Sequence, residues 1–248
     1  MMNYALIGRK LSHSFSADFF NEKFRREGIS SHYSLVELAD FDELLPYLAN
    51  HPDIIGLNVT IPYKEDAYRR CHRLTPQAEA IGAVNTIRIC RTDDGQILLY
   101  GTNTDAPGFA ESVADAVRTR KSALVLGTGG ASKAVSYALE EAGVKVTKVS
   151  RHRCEDQSVI TYDDLSPSLM EDNLLIVNTT PLGMFPNVNE APAIPYKDIT
   201  EKHFCYDVVY NPEETLFMRL CAERGAKTRN GLQMLYNQAL LAWDFWRE

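Results

Sequence analysis

Short apolar runs of strand length alternate with helically periodic stretches along almost the whole chain, and few architectures bury both at once. "YALIG" (4–8), "HYSLVEL" (32–38) and "IIGLNVTI" (54–61) have the length and β-branched content of strands. "SADFFNEKFRREG" (16–28), stopping at Gly28, and "FDELLPYLAN" (41–50) have helical spacing. Pro62 suits the first turn of a helix over "YKEDAYRRC". "AVNTIRIC" and "ILLYGTN" flank the turn residues "DDG" as a hairpin, and "APGFAESVADAV" is a helix leading into the second half. There a strand, a glycine turn, a helix and a strand follow in "SALVLG", "TGGASKAVSYALEEAG" and "KVTKVS". A short helix around "YDDLSPSLME", the strand "NLLIVNTT" and a proline-rich loop from Pro181 to Pro195 come next. "FCYDVVY", the helix "ETLFMRLCAERG" and a closing helix from Leu232 to Trp246 complete the pattern. Alternation of this kind predicts an α/β protein of parallel sheets covered by helices.

Bulk properties narrow the function. The 248 residues allow one large domain or two modest ones, and 45% hydrophobic with 24% charged residues is a globular composition. No apolar run approaches the roughly 20 residues that span a bilayer, so no membrane association is expected. The start, "MMNYALIGRK", lacks a basic region followed by an apolar core, so no secretory signal is expected. A net charge of -7 argues against nucleic acid as a partner, while small anions need only local positive charge. The five scattered cysteines fit reduced thiols in the cytoplasm. Neither they nor the histidines have metal-ligand spacing, so no metal site is expected.

"LVLGTGGASKA" combines an apolar strand, a glycine turn at Gly127, Gly129 and Gly130, and a helix. Glycines there let the backbone turn tightly and approach a pyrophosphate, which the helix N-terminus attracts. The third small residue of the usual fingerprint is replaced by Ser132, after Gly130 and Ala131, so the match is a variant. The following strand ends in "SRHR", where an NAD site would place an acidic residue for the ribose. Ser150, Arg151 and Arg153 instead suit the 2′-phosphate of NADP, which favours NADP over NAD. As isolated residues, the two arginines would equally suit a solvated loop.

Polar residues also gather where strands of the first half end: Asn58 and Thr60, Asn85 and Thr86, then Asn103, Thr104 and Asp105. Ligands of open parallel sheets bind outside the carboxyl ends of the strands, so this set suits a hydroxyl-rich ligand. Lys64 and Asp105 supply opposite charges, an acid–base and orienting pair. Singly, each has a plainer reading. Lys64 suits a helix surface, Asp105 an N-cap, and Ser14 or Ser16 of "SHSFS" a cap of the first helix.

Together, "SHSFS", "NVTIPYK", "AVNT", "GTNTDAPG", "GTGGAS" and "NGLQMLYNQA" resemble the shikimate dehydrogenase family in order and approximate spacing, over nearly the whole chain. The resemblance implies a substrate domain of residues 1–104 and 231–248 and a Rossmann-type NADP domain of residues 105–230. It also implies NADPH-dependent, reversible reduction of 3-dehydroshikimate to shikimate; for assembly, monomer and homodimer both stay open. By matched position, Ser14 and Ser16 bind the substrate carboxylate with Tyr210 nearby, and Thr60, Asn85 and Gln238 hold ring hydroxyls. Lys64 and Asp105 match the catalytic pair. Gly127, Gly129, Gly130 and Ala131 cradle the pyrophosphate, and Thr179 and Gly231 lie along the nicotinamide. An apolar stripe of Leu232, Leu235, Ala239 and Trp243 gives the helix of Gln238 a packing role as well.

The chain departs from the family pattern in two places. Ala17 stands where a proline is frequent. Ser150, Arg151 and His152 replace Asn-Arg-Thr, with Arg153 substituting for a basic residue further on. Two rival functions fit much of the same sequence. One is a relative acting on quinate or aminoshikimate. The other is a non-catalytic NADP-binding regulator, which would keep "GTGGAS" without needing Lys64 and Asp105 together.

Overall fold

The computed structural model describes residues 2–11, 15–153 and 158–248. Two compact units emerge, one of residues up to Thr104 plus Ala239–Glu248, the other of Asp105–Gln238.

The first unit contains β1 (Asn3–Gly8), α1 (Phe15–Glu27), β2 (Tyr33–Glu37), α2 (Leu44–Asn50), β3 (Ile54–Val59) and α3 (Lys64–Arg70). After these come β4 (Arg73–Leu74), α4 (Pro76–Ile81), β5 (Thr86–Arg91) and β6 (Ile97–Thr102). They form a six-stranded sheet in the order β2-β1-β3-β5-β6-β4. The sheet is mixed: the β5–β6 hairpin is antiparallel as expected, and β5 also runs antiparallel to β3, which corrects the expectation of parallel pairing there. The short turn between β5 and β6 allows only an antiparallel return. As a result Asn85 and Thr86 precede or open their strand instead of closing it. They still reach the edge where β3 ends, because Asn58 pairs with Thr86.

Both faces of this sheet are covered, so β1 is apolar from Tyr4 to Gly8 and β3 from Ile54 to Leu57. In β1, Tyr4 and Leu6 join Phe20 and Phe24 of α1, while Ala5 and Ile7 join the opposite cluster with Leu44, Leu48 and Ala67. Period-2 alternation puts those pairs on opposite sides. Ala239, Ala242, Trp243 and Trp246, from the end of the closing helix α10 (Leu232–Arg247), complete the first cluster. The Trp246 indole N–H donates to the Ile87 carbonyl at 3.0 Å. Helix α3 starts at Lys64, later than the sequence suggests, because Pro62 sits in a turn closed by the Tyr63 N–H on the Thr60 carbonyl (2.9 Å).

The second unit begins with α5 (Asp105–Ser112) and α6 (Ala114–Val117), then β7 (Ser122–Leu126), α7 (Gly130–Glu141), β8 (Lys145–Ser150) and β9 (Val159–Thr161). It continues with α8 (Pro167–Asp172), β10 (Leu175–Asn178), β11 (Phe204–Asp207), α9 (Leu216–Ala222), β12 (Lys227–Arg229) and the first turns of α10. Its sheet, β12-β11-β10-β7-β8-β9, is parallel throughout. Counted from β7, the strand order is that of a doubly wound dinucleotide-binding fold, reversing direction between β7 and β10. The strand expected over "FCYDVVY" ends at Asp207, and the short edge strands β9 and β12 carry too few apolar residues to be legible beforehand.

Candidate active site

In the first unit the polar residues of the apolar strands form one buried hydrogen-bond network. The Asn58 amide nitrogen donates to the Thr86 hydroxyl (3.1 Å) and faces the Asn85 carbonyl (3.4 Å). A carbonyl can only accept, which fixes the amide's orientation and makes Tyr33 the donor to Asn58 Oδ1 (2.8 Å). The Asn85 amide oxygen accepts from the Thr104 N–H (2.7 Å), and its nitrogen donates to the Thr104 hydroxyl (2.9 Å). Asn103 donates to the Ala83 carbonyl (2.9 Å). Burial raises the Tyr33 phenol well above its usual range, so it remains a neutral donor beside Ser16.

Thr60 lies just beyond β3, half-buried, its N–H donating to the Ile7 carbonyl (2.9 Å). Lys64 heads α3, also half-buried, and its carbonyl accepts from the Val84 N–H (2.9 Å). The bond from Val84 ties α3 to the "AVNT" segment, and the Val59 N–H ties that segment to β3 through the Asn85 carbonyl (2.8 Å). Thr60, Lys64 and Asn85 thus stand on segments anchored to one another at one sheet edge. Ser16 is buried in the first turn of α1, and Ser14 lies outside the described residues.

Asp105, buried, heads α5 in the second unit, where a carboxylate is favoured by the helix dipole. One turn on, a Cβ on Gly108 would lie 2.9 Å from the Gln238 backbone nitrogen. The Asn237 amide donates to the Gly108 carbonyl (3.1 Å), so α5 and α10 approach backbone to backbone. That approach brings buried Gln238, which donates to the Leu235 carbonyl (3.0 Å), near the first turn of α5.

The glycine turn fits a dinucleotide pyrophosphate. Gly127 has φ +109, a conformation that disfavours other residues, and its N–H donates to the Val149 carbonyl (2.8 Å). A Cβ there would lie 2.8 Å from the Thr179 hydroxyl, which donates to the Leu126 carbonyl (2.7 Å). The turn and Thr179 therefore meet where β7 and β10 end. A Cβ on Gly129 would meet nothing within 4 Å, and Gly129 offers no side-chain cap to the twelve-residue helix α7. A helix N-terminus without a side-chain cap, opening after a glycine turn, is a setting that favours an anion. The Ser132 hydroxyl donates to the Gly127 carbonyl (2.7 Å), which explains a serine at the variant position.

Ser150 closes β8, beside β7, and its hydroxyl accepts from the His152 N–H (3.3 Å). Arg151 is exposed, whereas Arg153 donates to Asp164 (2.9 Å). Bonds from the Thr161 N–H and hydroxyl, and then Arg153, hold the Asp164 carboxyl below its usual range. Tyr210 lies beyond β11, and Gly231 precedes α10. Missing from the sequence reading was a buried cluster of Asn178, Asp207 and Thr215 at the carboxyl ends of β10 and β11. Its only sequence trace is a polar residue closing each of two apolar runs.

These features define a class: two-unit α/β proteins with a Rossmann-type nucleotide-binding unit. Comparison with known proteins narrows it. A family model described as the shikimate dehydrogenase substrate binding domain matches residues 6–87. A shikimate dehydrogenase (NADP(+)) of Carboxydothermus hydrogenoformans is 37% identical, covering 97% of this chain and 90% of its own. Shikimate dehydrogenase 1 from Peptoclostridium difficile superposes with a TM-score of 0.86 at 35% identity, covering 100% of this chain and 92% of its own. The Thermus thermophilus enzyme in complex with NADP(H) and shikimate gives 0.83 at 31% identity, covering 99% and 93% respectively. The chain belongs to the shikimate dehydrogenase family.

Proposed function

We propose that this protein catalyses the reversible, NADPH-dependent reduction of 3-dehydroshikimate to shikimate, a step of aromatic amino acid biosynthesis. The observation that carries the reading is Lys64 at the sheet edge where Asn58, Asn85, Thr86 and Thr104 form one buried hydrogen-bond network, the kind of edge at which an α/β sheet binds its ligand. NADPH, when bound, supplies the hydride.

Lys64 stabilises the negative charge that grows on the C3 oxygen and delivers the proton. Asp105 accepts a hydrogen bond from the neighbouring hydroxyl and orients the ammonium. Thr60, Asn85 and Gln238 hold ring hydroxyls, and Ser14 and Ser16, with Tyr210 nearby, receive the carboxylate. Gly127, Gly129, Gly130 and Ala131 receive the pyrophosphate, with Thr179 and Gly231 along the nicotinamide. Ser150 and Arg151 face the 2′-phosphate, and Arg153 joins them from its ion pair with Asp164. The substrate domain is residues 1–104 with 231–248, and the NADP domain residues 105–230.

The reading extends to a cytoplasmic monomer or homodimer. Cys71, Cys90, Cys205 and Cys221 are free thiols, and no helix among the described residues is long and apolar enough to cross a membrane. Nicotinamide absorbance with shikimate or quinate, and NADP or NAD, tests the activity. Fast NADP reduction with shikimate alone is expected. Turnover of quinate or use of NAD would assign a sister activity, and NADP binding without any turnover would favour a regulator.

A further inference from the structure

Asp207 has no part in the chemistry above, yet it is fully buried at the carboxyl end of β11. Three donors from three segments converge on it. Asn178 of β10 donates its amide to Oδ1 (3.0 Å), and the Val209 N–H donates to the same oxygen (3.0 Å). The Thr215 hydroxyl, at the N-cap of α9, donates to Oδ2 (2.6 Å). An ionised carboxylate can accept at both oxygens, which is what these three donors ask of this short side chain.

The segments it gathers carry the groups assigned to the nicotinamide side. Asn178 passes the constraint on, its Oδ1 accepting from the Thr180 N–H (3.0 Å) and hydroxyl (2.7 Å), which shapes the backbone around Thr179. Val209, held by Asp207, accepts the Gly231 N–H (3.1 Å). A Cβ on Gly231 would fall 2.1 Å from the Val208 carbonyl oxygen, so those two backbones touch. Burial outweighs the three hydrogen bonds and pushes the Asp207 carboxyl up to about 6. A charge kept in so unfavourable a setting is a feature that packing alone would not require.

We infer that Asp207 is a positioning residue for the nicotinamide end of the cofactor, holding the Thr179 and Val208–Gly231 segments in the geometry that receives it. The inference rests on the dinucleotide reading above but not on the identity of the second substrate. It separates the two ends of the cofactor, since the glycine turn and Ser150–Arg151 belong to other strands, β7 and β8.

The test compares wild type with Asp207→Asn, which keeps the shape but presents one acceptor atom to three donors. Dissociation constants for NADPH and for 2′,5′-ADP, which lacks the nicotinamide, are measured by calorimetry at neutral pH. Loss of a charged hydrogen-bond acceptor is expected to weaken NADPH about tenfold or more while 2′,5′-ADP changes by less than about twofold. Should Asp207→Asn not fold, Thr215→Val, which removes one donor, is expected to show the same split, and Thr215→Ser to restore wild-type values. Equal effects on both ligands, or no effect on either, would overturn the inference while leaving the dinucleotide reading intact. Wild type that binds neither ligand would overturn both.

Discussion

Asn58 and Thr60 interrupt an apolar strand because the strand's last turns line a polar edge, where Asn58 is satisfied by Tyr33, Thr86 and the Asn85 carbonyl. Such a residue is stable only with every partner in place, since a buried amide left without one costs about 1–3 kcal/mol. Lys64, a few residues on, is the residue with the most to lose chemically and the least structurally. It is only half-buried and heads a short helix. Lys64→Ala is therefore expected to lower turnover by about 10²- to 10⁴-fold, the usual worth of a positioned acid or base. NADP affinity and the thermal midpoint should stay near wild type. Turnover within a few-fold of wild type in stopped assays would remove Lys64 from the mechanism.

At the scale of elements, α10 is the one whose role the sequence left most open. Its apolar stripe predicted packing, and its match to the family predicted ligand contact through Gln238. Packing is visible: Ala239, Ala242, Trp243 and Trp246 are buried against Tyr4, Phe20 and Phe24. Trp246 lies tilted against Tyr4 with ring centroids 4.7 Å apart and also bonds the Ile87 carbonyl. Trp246→Ala removes the ring and its bond to that carbonyl, so a loss of about 3–5 kcal/mol is expected in urea unfolding. A loss below about 1 kcal/mol would mean that α10 docks by other contacts. The β5–β6 hairpin shows the opposite case. Its turn was legible, but the antiparallel insertion beside β3 was not, because strand partners are set by the whole sheet and not by local pattern.

For the whole molecule, two carboxyl groups set opposite pH trends. Asp115 is held down at about 2, first by its hydrogen bonds from Arg229, so its contribution is present above the unfolded value of 3.8 and fades as pH falls through about 2. The pair is exposed and adds little. Asp207 runs the other way. Its carboxyl is raised from 3.8 to about 6 by burial, so its contribution is greatest below 3.8 and is lost as pH rises through about 6. A raise of that size corresponds to about 3 kcal/mol. The stability of wild type relative to Asp207→Asn should therefore fall by roughly that amount between about pH 4 and pH 7.5 in urea unfolding. A difference that does not change with pH would mean that the carboxyl titrates normally.

The sequence by itself determined the α/β class, the order of nearly all elements, the glycine turn and the family, because local periodicity, turn chemistry and motif spacing are properties of neighbouring residues. It also singled out Lys64, Asn85 and Asp105, since polar residues set beside apolar runs are conspicuous in one dimension. Only the tertiary structure decided that the first sheet is mixed, that Arg153 is paired with Asp164, and that Tyr33, Asn178, Asp207 and Thr215 hold the polar edges in place. Hydrogen-bond partners far apart in the chain are chosen by which donors and acceptors folding buries together, and no local pattern records that choice.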